Sequence, residues 1–539
     1  MLLQTGLMVV LQSLLCLQAF CSPVSAAASA PIVNLGYAQY QGAIDATSNT
    51  TSFLGIRFAS PPVGNLRWAA PQAPPTVSGI QQATEQPNQC YQASNGNAPA
   101  SPWRGTHLSK RDVSTSEDCL FLNVYTPGDT VTPVSSGSGL PVIVFIHGGG
   151  YISGAASQWE GSDLIVDSNH GVVVVLIQYR LGLFGFLPGE AVKKGGALNA
   201  GLLDQNYALQ WVQSHINTFG GDPTKVTIWG ESAGAGSVLQ HVVAHGGNTQ
   251  PPLFRAAMTS STFLPSQYQY NDRIPELLYG EVVNGTNCGP SSDTLSCLRD
   301  ADVNTLASLD ATINESGFYG VYTFVPVIDG TFIVERPTVT LAKGRHNGEA
   351  LLSVTNEFEG TVFVDQKTTL DISQYVTQLF PNLELWQAAL ATPLYDHLGT
   401  AAQQASLAMG ESIFVCPTYY LLEAFGSKAW KGEFAIPPAY HANDIPYYFP
   451  GNGPQTPENA EFITAFSNGF MALTMSMDPN AKYNSSDITP TWKSWNQGHT
   501  EMLFNKTAAG APVVEPFSSD NALLERCLYW RSVSAWSAQ

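Results

Sequence analysis

Gly230-Glu231-Ser232-Ala233-Gly234 sets a serine between glycines two residues before and two residues after it. That spacing permits a tight strand-to-helix turn that presents the hydroxyl as a nucleophile. Residues 226–229 before it read as a strand and 235–242 after it as a helix, the context such a turn requires. Taken alone the pattern is weak, because the chain contains 48 glycines. A second motif, His147-Gly148-Gly149-Gly150, directly follows the apolar run 142–146. Acyl transfer develops negative charge on the attacked carbonyl oxygen, and glycines let backbone N–H groups approach that oxygen closely. Gly149, Gly150 and Ala233 are the expected donors of such an oxyanion hole.

A serine hydroxyl needs a base, and the base needs a group to orient it. Glu359 lies just beyond the strand-like run 351–354, in Asn356-Glu357-Phe358-Glu359-Gly360. His441 lies in Tyr440-His441-Ala442-Asn443-Asp444, after the short apolar stretch 434–436. Chain order and loop position single it out among ten histidines. The order Ser232, Glu359, His441 is that of an α/β-hydrolase. The expected chemistry is hydrolysis through an acyl-enzyme. Neither a metal nor an organic cofactor is required, and the sequence has no Cys-x-x-Cys or His-Glu-x-x-His pattern.

The elements that must position these groups are legible as short apolar runs. Residues 142–146, 172–177, 226–229 and 351–354 read as buried parallel strands. Between them, Ala208, Leu209, Val212 and Ile216 recur at helical spacing, and Gly220-Gly221-Asp222-Pro223 stops that helix. Such alternation predicts an α/β fold, a mostly parallel sheet with helices on both faces. Chemistry gathers at the carboxyl ends of the strands in such folds. Residues 130–140 read as a surface loop, and no linker or repeat divides the chain. A single large domain over 27–539 is expected.

The chain has 539 residues, 44% hydrophobic and 12% charged, which excludes a disordered polymer. Its formal charge of −19 lacks the electrostatic footprint of a nucleic-acid binder. Residues 7–20 form an apolar run interrupted by Gln12, Ser13 and Gln18, and Val24-Ser25-Ala26 offers a small-residue cleavage site. A secretory signal over 1–26 and an extracellular protein follow, although the first thirty residues contain no Lys or Arg. A helix-like stretch at 523–536 precedes the end, with neither a hydrophobic tail nor a basic anchor, so no stable membrane anchor is expected. Sequons stand at Asn49, Asn284, Asn314, Asn484 and Asn505. Setting aside Cys16 and Cys21 leaves six of the eight cysteines: Cys90, Cys119, Cys288, Cys297, Cys416 and Cys527. Spacing alone does not choose their pairing.

Together these residues resemble the type-B carboxylesterase and lipase family, which includes fungal lipases and the cholinesterases. Gly55 to Gly64 and Leu66-Arg67-Trp68 are similar to its opening motif. Glu117-Asp118-Cys119-Leu120-Phe121-Leu122-Asn123-Val124 is similar to its second signature, and the stretch from Phe219 to Ser237 to its nucleophile segment. The resemblance implies disulfides Cys90–Cys119, Cys288–Cys297 and Cys416–Cys527. It also implies Glu359 rather than Glu357 as the acid, ion pairs Arg67–Glu117 and Arg180–Asp204, and Glu231 and Ser260 as polar groups beside the triad. Two positions depart from the family pattern: Tyr151 replaces a usual phenylalanine, and Thr259-Ser260-Ser261 a usual Gln-Ser-Gly.

The loop 91–118 corresponds to the lid of related lipases, yet its apolar residues Tyr91, Trp103, Leu108 and Val113 are sparse. That favours an esterase acting on soluble or modestly hydrophobic small-molecule or lipid esters. An interfacial lipase or a steryl esterase is the alternative. Lys110-Arg111 in the same loop reads as a solvated charge pair. Some members of the family are non-catalytic binding proteins, but this chain keeps Ser232, Glu359 and His441.

Overall fold

The computed structural model describes residues 30–98, 114–455 and 458–539. The expected signal segment lies outside the described residues, as do Trp103, Leu108, Lys110, Arg111 and Val113 of the loop 91–118.

Eleven strands build the main sheet: β1 Ala43–Asp45, β2 Thr50–Arg57, β3 Phe121–Pro127, β4 Leu140–Ile146, β5 Val173–Ile177, β6 Gly221–Glu231, β7 Ala256–Ser260, β8 Ala350–Asn356, β9 Ala429–Phe434, β10 Thr500–Lys506 and β11 Pro512–Ser518. Their spatial order is β11-β10-β9-β8-β7-β6-β4-β5-β3-β2-β1. Every pairing from β5 across to β10 is parallel. Antiparallel strands extend both edges. A separate small sheet joins Ile32–Asn34, Gln39–Gln41 and Ile80–Gln82.

All four runs expected as strands are strands, and their continuous apolar character has a direct cause. Successive side chains of a strand point to opposite faces, and both faces of this sheet are covered. Val142, Val144 and Ile146 of β4 enter one core. Ile143 and Phe145 enter the other. The first core is closed by the helices Ala200–His215 and Ala233–Gly247, through residues such as Leu209, Val212, Val238 and Val242. The second is closed by Gly161–Asp167 and Ala460–Ser476, which contribute Leu164, Phe462, Phe466 and Phe470. The expected helix stop also holds: Gly220 ends that segment with φ 85°. The C-terminal helix runs Asn521–Ser537. Among the described residues no helix is long and apolar enough to cross a membrane.

Three disulfides join Cys90 to Cys119, Cys288 to Cys297 and Cys416 to Cys527. Arg67 grips Glu117 with two hydrogen bonds of 2.6 and 2.7 Å. Arg180 meets both oxygens of the buried Asp204 at 2.7 Å. Asn314 departs from its sequon reading. It is fully buried, and its Nδ2 donates to the carbonyl and the carboxylate of Asp310 at 2.8 and 2.9 Å. A glycan on that nitrogen would remove one of the two N–H donors and have no exit from the buried site. Asn49 and Asn284 are exposed, and Asn484 and Asn505 are half-buried.

Candidate active site

The parallel central strands end in register, so the loops leaving them share one edge. Ile146 of β4 aligns with Gly230 of β6, Glu231 with Ser260 of β7, and Ser260 with Val354 of β8. His147, Ser232, Ser261, Glu359 and His441 all follow these carboxyl ends.

Ser232 sits at φ 55° and ψ −123°, between β6 and the helix that starts at Ala233. Residues with a Cβ resist that backbone, and the turn survives because its flanks are glycine. A Cβ on Gly234 would lie 1.9 Å from the carbonyl oxygen of Ile146, and one on Gly230 would lie 2.3 Å from the backbone of Gly234. The turn buries Ser232 to 7% exposure and sends its N–H to the carbonyl of Ser260 at 2.9 Å.

Next to it, Gly149 and Gly150 adopt φ 96° and 64°. Within the described protein the backbone N–H groups of Gly149, Gly150 and Ala233 have no hydrogen-bond acceptor. Three unclaimed donors beside a nucleophile are what an oxyanion requires. His147 is a fixed part of this loop, stacked on Tyr179 with ring centroids 4.5 Å apart. Burial pushes it down to about 4, so it is neutral at physiological pH.

Across the cleft, His441 Nδ1 lies 2.6 Å from Glu359 Oε2. Phe363 and Phe414 pack on the imidazole, with centroids 4.9 and 4.7 Å away. Burial works against the charged imidazole, but Glu359, Glu231 and Asp444 outweigh it and hold the His441 pKa above its ordinary value. Its Nε2 has Glu231 Oε1 at 3.3 Å. Burial pushes Glu231 up to about 8 against the pull of His441. Among the described residues no hydrogen bond links Ser232 Oγ to His441.

Sequence reasoning places Glu231 beside the triad, where it lies. It also places Ser260 there: the Ser260 carbonyl accepts the Ser232 N–H at 2.9 Å, but its hydroxyl is not the one that meets the acid. Ser260 Oγ takes the indole N–H of Trp229 at 3.2 Å, while Ser261 Oγ donates to Glu359 Oε1 at 2.7 Å. Adjacent residues at a strand end face opposite sides, so a one-residue step exchanges the role. Asn356 and Asp444 are also missed. The Asn356 N–H donates to Glu359 Oε1 at 2.7 Å, and its Nδ2 to Asp444 Oδ1 at 3.0 Å. Tyr448 closes this chain by donating its hydroxyl to Asp444. The short spacing of Asp444 from His441 and of Asn356 from Glu359 was the available signal.

An apolar cavity of about 180 Å³ lies beside the cleft, lined by Phe186, Phe263, Phe318, Tyr322, Met409 and Ile413 among others. Tyr322 also packs on the oxyanion loop: a Cβ on Gly150 would lie 1.9 Å from its ring. Tyr151 is fully buried, with Phe186 and Phe263 at centroid distances of 5.1 and 5.9 Å. It therefore backs the cavity wall.

A model of the carboxylesterase family matches residues 29–510. Carboxylesterase patB of Aspergillus clavatus is 30% identical over 94% of this chain and 97% of its own. Lipase 2 of Diutina rugosa is 30% identical over 89% of this chain and 93% of its own. The crystal structure of Aspergillus niger EstA matches with a TM-score of 0.83 at 30% identity, covering 95% of this chain and 99% of that one.

Proposed function

The chain belongs to the carboxylesterase family, and from that premise we propose that it is an exported ester hydrolase working through Ser232, His441 and Glu359. That it hydrolyses esters with a serine follows from the family. The observation that best supports these three residues is the 2.6 Å contact of Glu359 with His441 Nδ1, on the sheet edge that carries the strained Ser232.

With Nδ1 committed to Glu359, Nε2 is the nitrogen left to act as base. A turn of the Ser232 side chain brings Oγ to it, as catalytic hydrogen bonds tighten in the substrate complex. Oγ attacks the ester carbonyl while His441 takes its proton, and Glu359 stabilises the imidazolium. The N–H groups of Gly149, Gly150 and Ala233 receive the oxyanion. His441 then protonates the departing alcohol, leaving an acyl-Ser232, and activates water to release the acid. The apolar cavity favours esters that carry a hydrocarbon group. Three disulfides suit an oxidising compartment, in keeping with export.

Ser232→Ala is predicted to leave the circular dichroism spectrum unchanged and to abolish turnover of a nitrophenyl ester. A variant with near wild-type kcat would reject the assignment.

A further inference from the structure

We propose that Ser261 is a positioning residue, whose hydroxyl holds the carboxylate of Glu359 in register with His441; this rests on the triad reading above. Ser261 is the first residue past β7 and is fully buried. Its φ of 60° lies in the left-handed region, where glycine fits without strain and a residue with a Cβ does not. A strained side chain persists where its surroundings over-determine it, and such outliers gather at functional sites.

The surroundings of Ser261 all lead to the acid. Its N–H donates to the carbonyl of Val354 in β8 at 2.8 Å, the strand from which the Glu359 loop departs. Its hydroxyl donates to Glu359 Oε1 at 2.7 Å and accepts from Asn356 Nδ2 at 3.3 Å. Glu359 Oε1 thereby has two donors, Ser261 and the Asn356 N–H, which leave Oε2 free for His441 Nδ1. The residue before, Ser260, holds the nucleophile's backbone through the Ser232 N–H. Two consecutive residues thus tie the nucleophile turn to the acid loop.

A hydroxyl donating to a carboxylate stabilises its charge and fixes its rotation. Without that donor, the Glu359 carboxylate draws more strongly on the proton of His441. Glu231 and Asp444, the other carboxylates facing the imidazole, remain in place. The acidic limb of the rate profile therefore moves to higher pH.

The test measures kcat and KM for nitrophenyl butyrate across pH, with thermal midpoints, for Ser261→Ala and Ser261→Gly in the wild-type and Glu359→Gln backgrounds. In the wild-type background both variants should lower kcat about tenfold, the scale of one hydrogen bond to a charged group. KM should stay nearly constant and the acidic limb should move up. Ser261→Gly relieves the left-handed strain, so it should lose activity without the thermal penalty of general damage to the fold. In Glu359→Gln, Ser261→Ala should cost little further, because the group it acts through is altered. Unchanged kcat and pH limb, or an equal fall in both backgrounds, overturns the proposal. Glu359→Gln retaining wild-type kcat would instead defeat the triad reading itself.

Discussion

Glu231 Oε1 stands 3.3 Å from Nε2 of His441, on the nitrogen that must face Ser232. With Glu359 on Nδ1, the imidazole lies between two buried carboxylates, and its protonated form is favoured. Activity requires the neutral base. As pH falls through a His441 pKa held above 6.5, kcat/KM should therefore fall. Burial holds Glu231 protonated until about pH 8, so it carries little charge across that acidic limb, and Glu231→Gln, which keeps the shape, should leave the limb nearly in place. A pH profile with nitrophenyl acetate checks this, and a limb that moves clearly to lower pH contradicts it.

Gly149 offers a donor only in its present backbone, at φ 96°. Gly149→Ala places a Cβ 2.3 Å from the carbonyl oxygen of Ser153, so the loop must shift and misaim its N–H groups. Loss of one oxyanion donor costs about 10²–10³ in kcat. Steady-state kinetics should show a fall of at least that order, with a lowered thermal midpoint.

Arg180 and Asp204 form an ion pair with side chains 4% and 0% exposed. Asp204→Asn leaves the guanidinium charge buried without a counter-charge. Breaking one side of a buried pair costs about 3–5 kcal/mol. Urea denaturation should show a loss of that size, well beyond the effect of removing an exposed pair such as Arg531–Glu423.

Burial also decides glycosylation. Glycopeptide mapping of protein secreted from a eukaryotic host should find Asn314 unmodified, because its amide is committed to Asp310 inside the fold. A glycan there would mean that the helix Val303–Glu315 packs differently from the structure described.

The parallel strands are legible because a strand buried on both faces carries an unbroken apolar run, as 142–146 and 351–354 do. The front of β6 is not, since Asp222, Pro223, Thr224 and Lys225 carry no such signal and fall in the register shift between the pairs Leu140–Gly221 and Val142–Val226. Ser232, Glu359 and His441 are separated by local motifs at strand ends, which sequence does show. Ser261 is hidden because its orientation is set by a left-handed turn beyond β7, and nothing local distinguishes it from Ser260. The sequon at Asn314 satisfies a three-residue pattern, whereas its burial depends on Asp310 one helical turn earlier and on the packing of that helix face.

Covalent capture of the nucleophile tests the central claim most directly. After reaction with a fluorophosphonate, peptide mass spectrometry should place one adduct on Ser232, in step with loss of esterase activity. An adduct on another residue, or full inactivation with Ser232 unmodified, would contradict the account.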